Sequence, residues 1–478
     1  MLGVENHTIA AIATPPGSGG IGVIKISGAN ALPIVSAVFR KANSTPSHRK
    51  EHHPPHKRGA RLSLKSRRLY YGHVTDPDTG KTIDEVLVTL MKAPRTYTRE
   101  DVVEIQAHSG SVGLRSIMEL VLRQGARLAD PGEFTKRAFI NGRIDLTQAE
   151  AVIDVINAKT KTALKIAASQ LNGQMKVGIE TMRSRLLEIL TEIEAGIDFP
   201  EDISERPAAD KTIQVLEKHV RQPLDGLIKQ CDSATMLRDG LRLAIVGRPN
   251  VGKSSLLNRL VQKDRAIVAS IPGTTRDVIE ETFSIQGIPI LIMDTAGLHE
   301  TRDPIEVMGI NKAHESIEKS DLILFMVDCS QSLTPADRMI YRTYQKRKMI
   351  IVVNKIDLIE DDTGFDVPNP WGATPRVRIS ALHDIGISHL KDSIETLVLN
   401  DFEYDPETLI IPNIRHKQAL VESLEAVSKA IQGLRENRPY ELIAIDVQQA
   451  LDRLGEVIGI NVREDVVDQI FSRFCIGK

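Results

Sequence analysis

Cysteine is scarce in this chain. Cys231, Cys329 and Cys475 are odd in number and far apart, which argues against a disulfide framework and for a reducing compartment. Long apolar runs are missing too. No stretch approaches the 18 apolar residues of a membrane span, so no membrane association is expected. The first twenty residues carry an acid, Glu5, and no basic segment ahead of an apolar one, so neither a signal peptide nor a presequence is expected and the cytoplasm is the default. A large excess of charge is also absent. Net charge is −2, so no global field advertises nucleic acid, and any RNA contact has to be local or delegated to a partner.

What remains is ordinary globular material, 41% hydrophobic and 26% charged. The 478 residues are too many for one core, and about three domains is the natural expectation. Up to about residue 145 the texture mixes strands and turns: "TIAAIAT", "IGVIKIS", "DEVLVTLM" and "DVVEIQAHSG" are strand candidates. Residues 47–68 are basic, proline-broken and aperiodic. Despite His48, His52, His53 and His56, they read as a solvated loop, with RNA-backbone contact as the alternative.

At residue 145 helical periodicity takes over, and Thr147 with Glu150 has the spacing of a capping box. Met182, Leu186, Ile189 and Ile193 make one apolar stripe. Strands and helices then alternate over 241–400, the signature of a parallel sheet. Beyond Pro406 helices return, with stripes Leu420, Leu424, Val427, Ile431, Leu434 and Ile443, Val447, Leu451, Leu454. Such stripes are read as core faces.

Two glycine-rich segments compete as phosphate cradles. Gly17, Gly19 and Gly22 match a dinucleotide fingerprint, but a strand-like "VIKIS" follows where that fingerprint needs a helix N-terminus. It reads as a turn between strands. By contrast, "LRLAIVGRPNVGKSSLLNRL" runs strand, Gly247-x4-Gly252-Lys253-Ser254, helix. Backbone N–H groups there converge on phosphate oxygens, Lys253 adds charge, and the Ser254 hydroxyl suits Mg2+. Three more elements follow in order. "ILIMDTAG" brings Asp294, which can hold Mg2+ through water, and Gly297, which can reach a γ-phosphate. "MIIVVNKID" brings Asn354, Lys355, Ile356 and Asp357, whose carboxylate can accept both N–H donors that guanine has and adenine lacks. "VRISAL" brings Ser380 and Ala381 to the base carbonyl. Together they specify a GTPase. The position after the DxxG motif, where Ras-like enzymes keep a water-orienting glutamine, is Leu298, and Arg276 reads as a surface arginine rather than a finger.

The loop "IPGTTRD" (271–277), Asn250 inside the phosphate loop and the missing glutamine resemble the potassium-dependent GTPases of the TrmE-Era-EngA group. The flanking "ATPPGSGGIGVIKISG", "PGEFTKRAFINGRIDLTQAEAV", "IDFPED" and terminal "FCIGK" are similar to its tRNA-modifying branch, the MnmE (TrmE) family. The resemblance runs from about residue 8 to the last residue and implies a multidomain α/β plus α protein. It would comprise an α+β N-terminal domain for folate binding and dimerisation (1–143), a helical domain in two parts (144–238 and 401–478), and an inserted P-loop GTPase domain with a mostly parallel sheet (239–400).

Further expectations come with the resemblance. The family works with the flavoprotein MnmG, which brings FAD, in a heterotetramer or larger complex. It adds an aminomethyl or carboxymethylaminomethyl group to carbon 5 of the wobble uridine of certain tRNAs. The one-carbon unit comes from 5-formyltetrahydrofolate or methylenetetrahydrofolate. Hydrolysis of GTP is activated when the G domains of a homodimer meet around K+, a fixed cation that offsets developing charge. By motif, K+ would be held by Asn250 and the backbone of Ala269, Ile271 and Thr274, and Mg2+ by Ser254 and Thr275. Val251, Ser255, Ser270, Pro272, Gly273, Thr295, Ala296 and Leu382 complete the GTP-binding set. Glu306 would orient water, although on sequence alone it reads as a solvated helix carboxylate. The folate site would be Lys25, Glu104, Arg143 and Lys478. The family keeps arginine at the first and lysine at the third, so charge is retained while fork and point charge are exchanged.

Cys475 suggests three readings. A prenylation box fails because Gly477 is not aliphatic and Lys478 is not a usual last residue. A buried inert thiol is the bland reading, and the resemblance makes Cys475 a candidate for the modification chemistry. A ribosome-assembly GTPase is the competing class. An Era-like chain would end in a basic RNA-binding domain, yet residues 402–478 hold 13 Asp/Glu against 9 Lys/Arg. An EngA-like chain would need a second G domain, and a purely regulatory switch would not need the long N-terminal domain.

Overall fold

A computed structural model describes residues 7–15, 17, 19–42, 63–198, 209–263, 282–285, 287–293, 317–359, 368, 371–399 and 412–478. Two compact units emerge, residues 1–153 with 458–478 and residues 154–457.

The first unit is built on a seven-stranded sheet: β1 (Ile9–Ile12), β2 (Ile21–Ser27), β3 (Phe39–Lys41), β4 (Leu69–Thr75), β5 (Thr82–Met91), β6 (Val102–His108) and β7 (Arg127–Leu128). Their order is β3-β4-β5-β6-β2-β1-β7, antiparallel except for the short β1/β7 pair. Strict alternation places Val86, Val88, Leu90, Val103, Ile105, Ile24 and Ile26 on one face, where helices Ala31–Val38 and Ser111–Arg123 bury them. The dinucleotide-like glycines sit where a turn and strand were expected. Gly22 lies inside β2, and a Cβ there would come within 2.5 Å of Leu114. Helix Glu464–Phe471 and Phe474 close this unit against Leu146, Ala149 and Phe139.

Helix Leu146–Asn157 starts earlier than its expected cap. Asp145, not Thr147, is the cap: its Oδ1 accepts from the amides of Thr147 (2.8 Å) and Gln148 (3.1 Å), and Gln148 Oε1 accepts from the Asp145 amide. Thr147 turns its hydroxyl to the same carboxylate. An ionised cap gains from the helix dipole as well as the bond, which favours Asp145 over the neutral threonine.

In the second unit, β8 (Leu241–Val246), β9 (Thr282–Ile285), β10 (Ile288–Ile292), β11 (Leu322–Asp328), β12 (Met349–Asn354) and β13 (Arg376–Arg378) form a sheet ordered β13-β12-β11-β8-β10-β9. All neighbours are parallel except β9/β10. β11 and β12 are buried along their whole length, as expected of strands covered on both faces. Chain order reverses at β8, between β11 and β10, so the crevice at the carboxyl ends of the strands opens there.

The apolar stripes are core faces. Met182, Leu186, Ile189 and Ile193 of helix Gln174–Asp198 are buried, as are Leu420, Val427, Ile431 and Leu434 of helix Ile414–Arg435 and all four stripe residues of helix Tyr440–Ile458. A π-helical turn, Glu217–Arg221, precedes Pro223, which has no N–H to continue the helical ladder, and the Gln222 amide donates to the Glu217 carbonyl five residues back. One helix belongs to both textures. Ile166 of Lys161–Leu171 lies in the cluster that fills one side of the β8–β13 sheet, and a Cβ on Gly287 (φ +89°) would come within 2.5 Å of Thr162 Oγ1. No helix among the described residues is long and apolar enough to cross a membrane.

Candidate nucleotide site and a second cluster

The phosphate loop leaves β8 at Gly247 and enters helix Lys253–Lys263. Its two framing glycines are needed for space: a Cβ at Gly247 would sit 2.5 Å from the Met326 carbonyl oxygen, and one at Gly252 (φ +100°) 2.3 Å from Asn354 Nδ2. Asn250 is left-handed, φ +63°. Lys253 folds over the loop and donates through Nζ to the carbonyls of Gly247 and Arg248, both at 2.8 Å. Burial pushes its ammonium down from the ordinary lysine range, so a phosphate oxygen would find a partly desolvated cation ready to exchange partners. Ser254 and Ser255 are exposed at the helix start. The pre-formed curve, the half-buried lysine and the exposed hydroxyl fit a nucleotide phosphate with its divalent cation.

On the base side, Asn354 ends β12, buried, and ties two loops together. Its Nδ2 donates to the Val251 carbonyl (2.8 Å), and its Oδ1 accepts from the Ala381 amide (3.0 Å). Lys355 is left-handed (φ +66°) and reaches Asp328 at the end of β11, 2.6 Å away. Burial pushes Asp328 up, but bonds from Lys355 and Ser330 outweigh it and hold the carboxyl below its usual range. Asp357 follows Ile356 in a 3-10 turn. The Ser380 hydroxyl, donating to its carboxylate, keeps it ionised below the ordinary carboxylate range. Ser380 and Ala381 are buried and Leu382 is exposed. The structure thus brings Val251, Gly252, Lys253, Asn354, Asp357, Ser380 and Ala381 into one constellation.

Ala269, Ser270, Ile271, Pro272, Gly273, Thr274, Thr275, Asp294, Thr295, Ala296, Gly297 and Glu306 lie outside the described residues, as do Arg276 and Leu298. Sequence reasoning missed two arginines. Arg248 of the phosphate loop donates to Asp337 (2.8 Å), a fully buried carboxylate that also caps helix Pro335–Tyr344. Arg259 grips the loop after Ser380. Arg248 fills a variable position of the phosphate-loop motif and Arg259 lies outside any motif, and each partner lies far along the chain.

A second cluster lies in the first unit. Lys25 on β2 stands directly across from Glu104 on β6, on the sheet face opposite the helices. Burial lowers the Lys25 ammonium, the Glu104 carboxylate opposes that shift, and the nearby Lys478 charge reinforces it. Lys478 is anchored by its main chain: its oxygen accepts from the Phe134 amide (3.2 Å) and its amide donates to the Cys475 carbonyl (3.4 Å). Gly477 is left-handed (φ +94°), and a Cβ there would press within 2.8 Å of the Ile12 carbonyl oxygen. Arg143 does not join this trio by any direct contact; its guanidinium lies 4.6 Å from the Tyr97 ring. Tyr97 packs on Ile9, Ala11, Ala129 and Phe134, and Ala11 pairs with Lys25, so Arg143 borders the same face. Cys475 is exposed, which rules out the buried-thiol reading. Two cations beside one carboxylate suit an anionic, hydrogen-bonding ligand.

The sheet order, the phosphate loop at its switch point and an Asn/Asp pair poised for guanine define a P-loop GTPase. Comparisons with known proteins sharpen this. The family described as the GTP-binding protein TrmE N-terminus matches residues 8–143, and the MnmE helical domain matches residues 146–475. The chain is 42% identical over 474 residues to the tRNA modification GTPase MnmE of Acetivibrio thermocellus, covering 99% of this chain and 100% of that one. It is 44% identical over 471 residues to that of Syntrophus aciditrophicus (98% and 99%). Among solved structures, Era of Aquifex aeolicus bound to GDP.AlF4- is 31% identical, covering 39% of this chain and 66% of that one at a TM-score of 0.27. This chain belongs to the MnmE family of tRNA modification GTPases.

Proposed function

We propose that this GTPase acts on the wobble uridine of certain tRNAs together with MnmG, adding an aminomethyl or carboxymethylaminomethyl group at carbon 5. The observation that carries the reading is the pairing of a guanine-type nucleotide constellation in one unit with the Lys25–Glu104–Lys478 cluster in the other. A GTPase that only switched would need no second polar cluster.

In this reading residues 1–143 bind 5-formyl- or methylenetetrahydrofolate and dimerise, 239–400 hydrolyse GTP, and 144–238 with 401–478 form the helical domain. Lys25, Arg143 and Lys478 hold the folate's anionic groups and Glu104 a pterin N–H. The folate supplies a one-carbon unit when bound. Cys475, exposed and two peptide bonds short of the Gly477 turn, serves the modification as nucleophile or proton carrier. Ser254 and Thr275 hold Mg2+, and Asn250 with the backbone of Ala269, Ile271 and Thr274 holds K+ as G domains of a homodimer meet. Glu306 orients the attacking water. FAD enters only with MnmG, in a heterotetramer or larger complex, and the setting is the cytoplasm.

Mass spectrometry of tRNA nucleosides from a strain lacking this protein tests the reading. Loss of the C5-substituted wobble uridines is expected, and unchanged uridines would sink it. Replacement of K+ by Na+ should slow GTP hydrolysis sharply, and indifference to the cation would remove the Asn250 assignment.

A further inference from the structure

Arg259 lies nearly two helical turns beyond the phosphate loop, on the helix that the loop opens. Its guanidinium reaches across the sheet edge to the loop after β13. Nε donates to the Ala381 carbonyl (3.3 Å) and Nη2 to the Leu382 carbonyl (2.6 Å), with Asp384 Oδ1 4.0 Å from Nε. Within a trans peptide the C=O and N–H point in opposite directions. Turning both carbonyls toward Arg259 therefore turns the amides of Leu382 and His383 away from it. The His383 amide donates to Ser380 Oγ (3.2 Å), and the Ser380 hydroxyl donates to Asp357. From the other side Asn354 fixes the Ala381 amide. A chain of hydrogen bonds thus leads from Arg259 through two peptide planes and a serine to the carboxylate that faces the base.

We propose that Arg259 is a positioning residue for guanine recognition: by gripping the Ala381 and Leu382 carbonyls it fixes the peptide planes that aim Ser380, and through it Asp357, at the base. This rests on the reading of the constellation as a guanine-nucleotide site. The planar fork presents Nε and Nη2 to the two carbonyls in a fixed geometry, which the flexible ammonium of a lysine does not preset.

The test uses the full-length protein and titrations with GDP, IDP and ADP. IDP lacks the exocyclic amine and so uses only one of the two contacts that Asp357 offers guanine. Arg259→Met should weaken GDP binding on the order of tenfold, the scale of one charge-assisted hydrogen bond, and should narrow the preference for GDP over IDP. Arg259→Lys should fall between this variant and the wild type. Melting of the nucleotide-free variants, run alongside, reports any general loss of stability, which by itself does not change the GDP:IDP ratio. An unchanged GDP:IDP ratio in Arg259→Met, even with weaker binding of both, would overturn the positioning role and leave a merely structural one. Wild-type protein that fails to prefer GDP over ADP would instead overturn the guanine reading itself, and the proposal with it.

Discussion

Asn354 donates through Nδ2 to the carbonyl of Val251 at 2.8 Å, so the strand that ends in the base-recognition motif is tied directly to the phosphate loop. Asn354→Ala leaves that carbonyl and the Ala381 amide without their buried partner. At about 1–1.5 kcal/mol for each lost bond, guanine-nucleotide affinity should fall on the order of a hundredfold. Titration with a fluorescent GDP analogue measures it, and near-wild-type affinity would show that the tie does not matter.

Gly252→Ala should reproduce that defect by a different route. Its Cβ would stand 2.3 Å from Asn354 Nδ2, at a φ of +100° that alanine resists. Because both substitutions disturb the Asn354–Val251 bond, and Asn354→Ala also removes the atom that the new Cβ would strike, the double variant should lose less than the sum of the two. Additive losses would mean that the two residues act separately.

The Ser380 hydroxyl sets the acid limit of Asp357. The folded carboxyl titrates below its unfolded value of about 3.9, so its contribution is present above that value and is lost as pH falls through the folded one. Ser380→Ala should bring the folded value up and start the loss at higher pH. Carbon-13 NMR of the Asp357 carboxyl reads this directly; an unmoved titration would discard the Ser380 bond as its cause.

A buried ion pair braces the first unit. Arg137 donates to both oxygens of Glu100 at 3.0 and 3.1 Å and to Glu133 at 2.8 Å, with only 3% of its side chain exposed. Arg137→Met leaves Glu133 its bond to Arg127 but Glu100 only the Ser27 hydroxyl, and should cost about 3 kcal/mol in urea unfolding. A loss under about 1 kcal/mol would place the pair among surface salt bridges instead.

For Cys475, the exposed thiol predicts a separation of activities. Cys475→Ser should keep GTP turnover but lose the modified uridine. If nucleoside analysis still finds the modification, the residue only supports the turn that anchors Lys478.

Much of this was legible from residue order because the motifs are backbone motifs. A strand, a glycine-framed loop and a helix can be read at fixed offsets, and Asn354, Asp357 and Ser380 fall where their strands end. Period-2 and period-3.6 patterns likewise marked β5, β6 and helix Gln174–Asp198. The cap at Asp145 was misread because Asp and Thr two residues apart both suit the role, and only geometry chooses. Arg137, Arg248 and Arg259 look like ordinary helix or loop arginines. Arg137 has Glu133 four residues away, but its partner Glu100 and those of Arg248 and Arg259 stand 37, 89 and 122 residues away, and local pattern carries no trace of such pairs.

Ile166 has a mechanical consequence. It is a resident of the GTPase core, although its helix begins some eighty residues before the first strand of that sheet. Pulling it out would expose a full isoleucine side chain, roughly 1.5–3 kcal/mol. The nucleotide-handling sheet and the helix that precedes it in the chain therefore share one core, and separating them carries at least that cost.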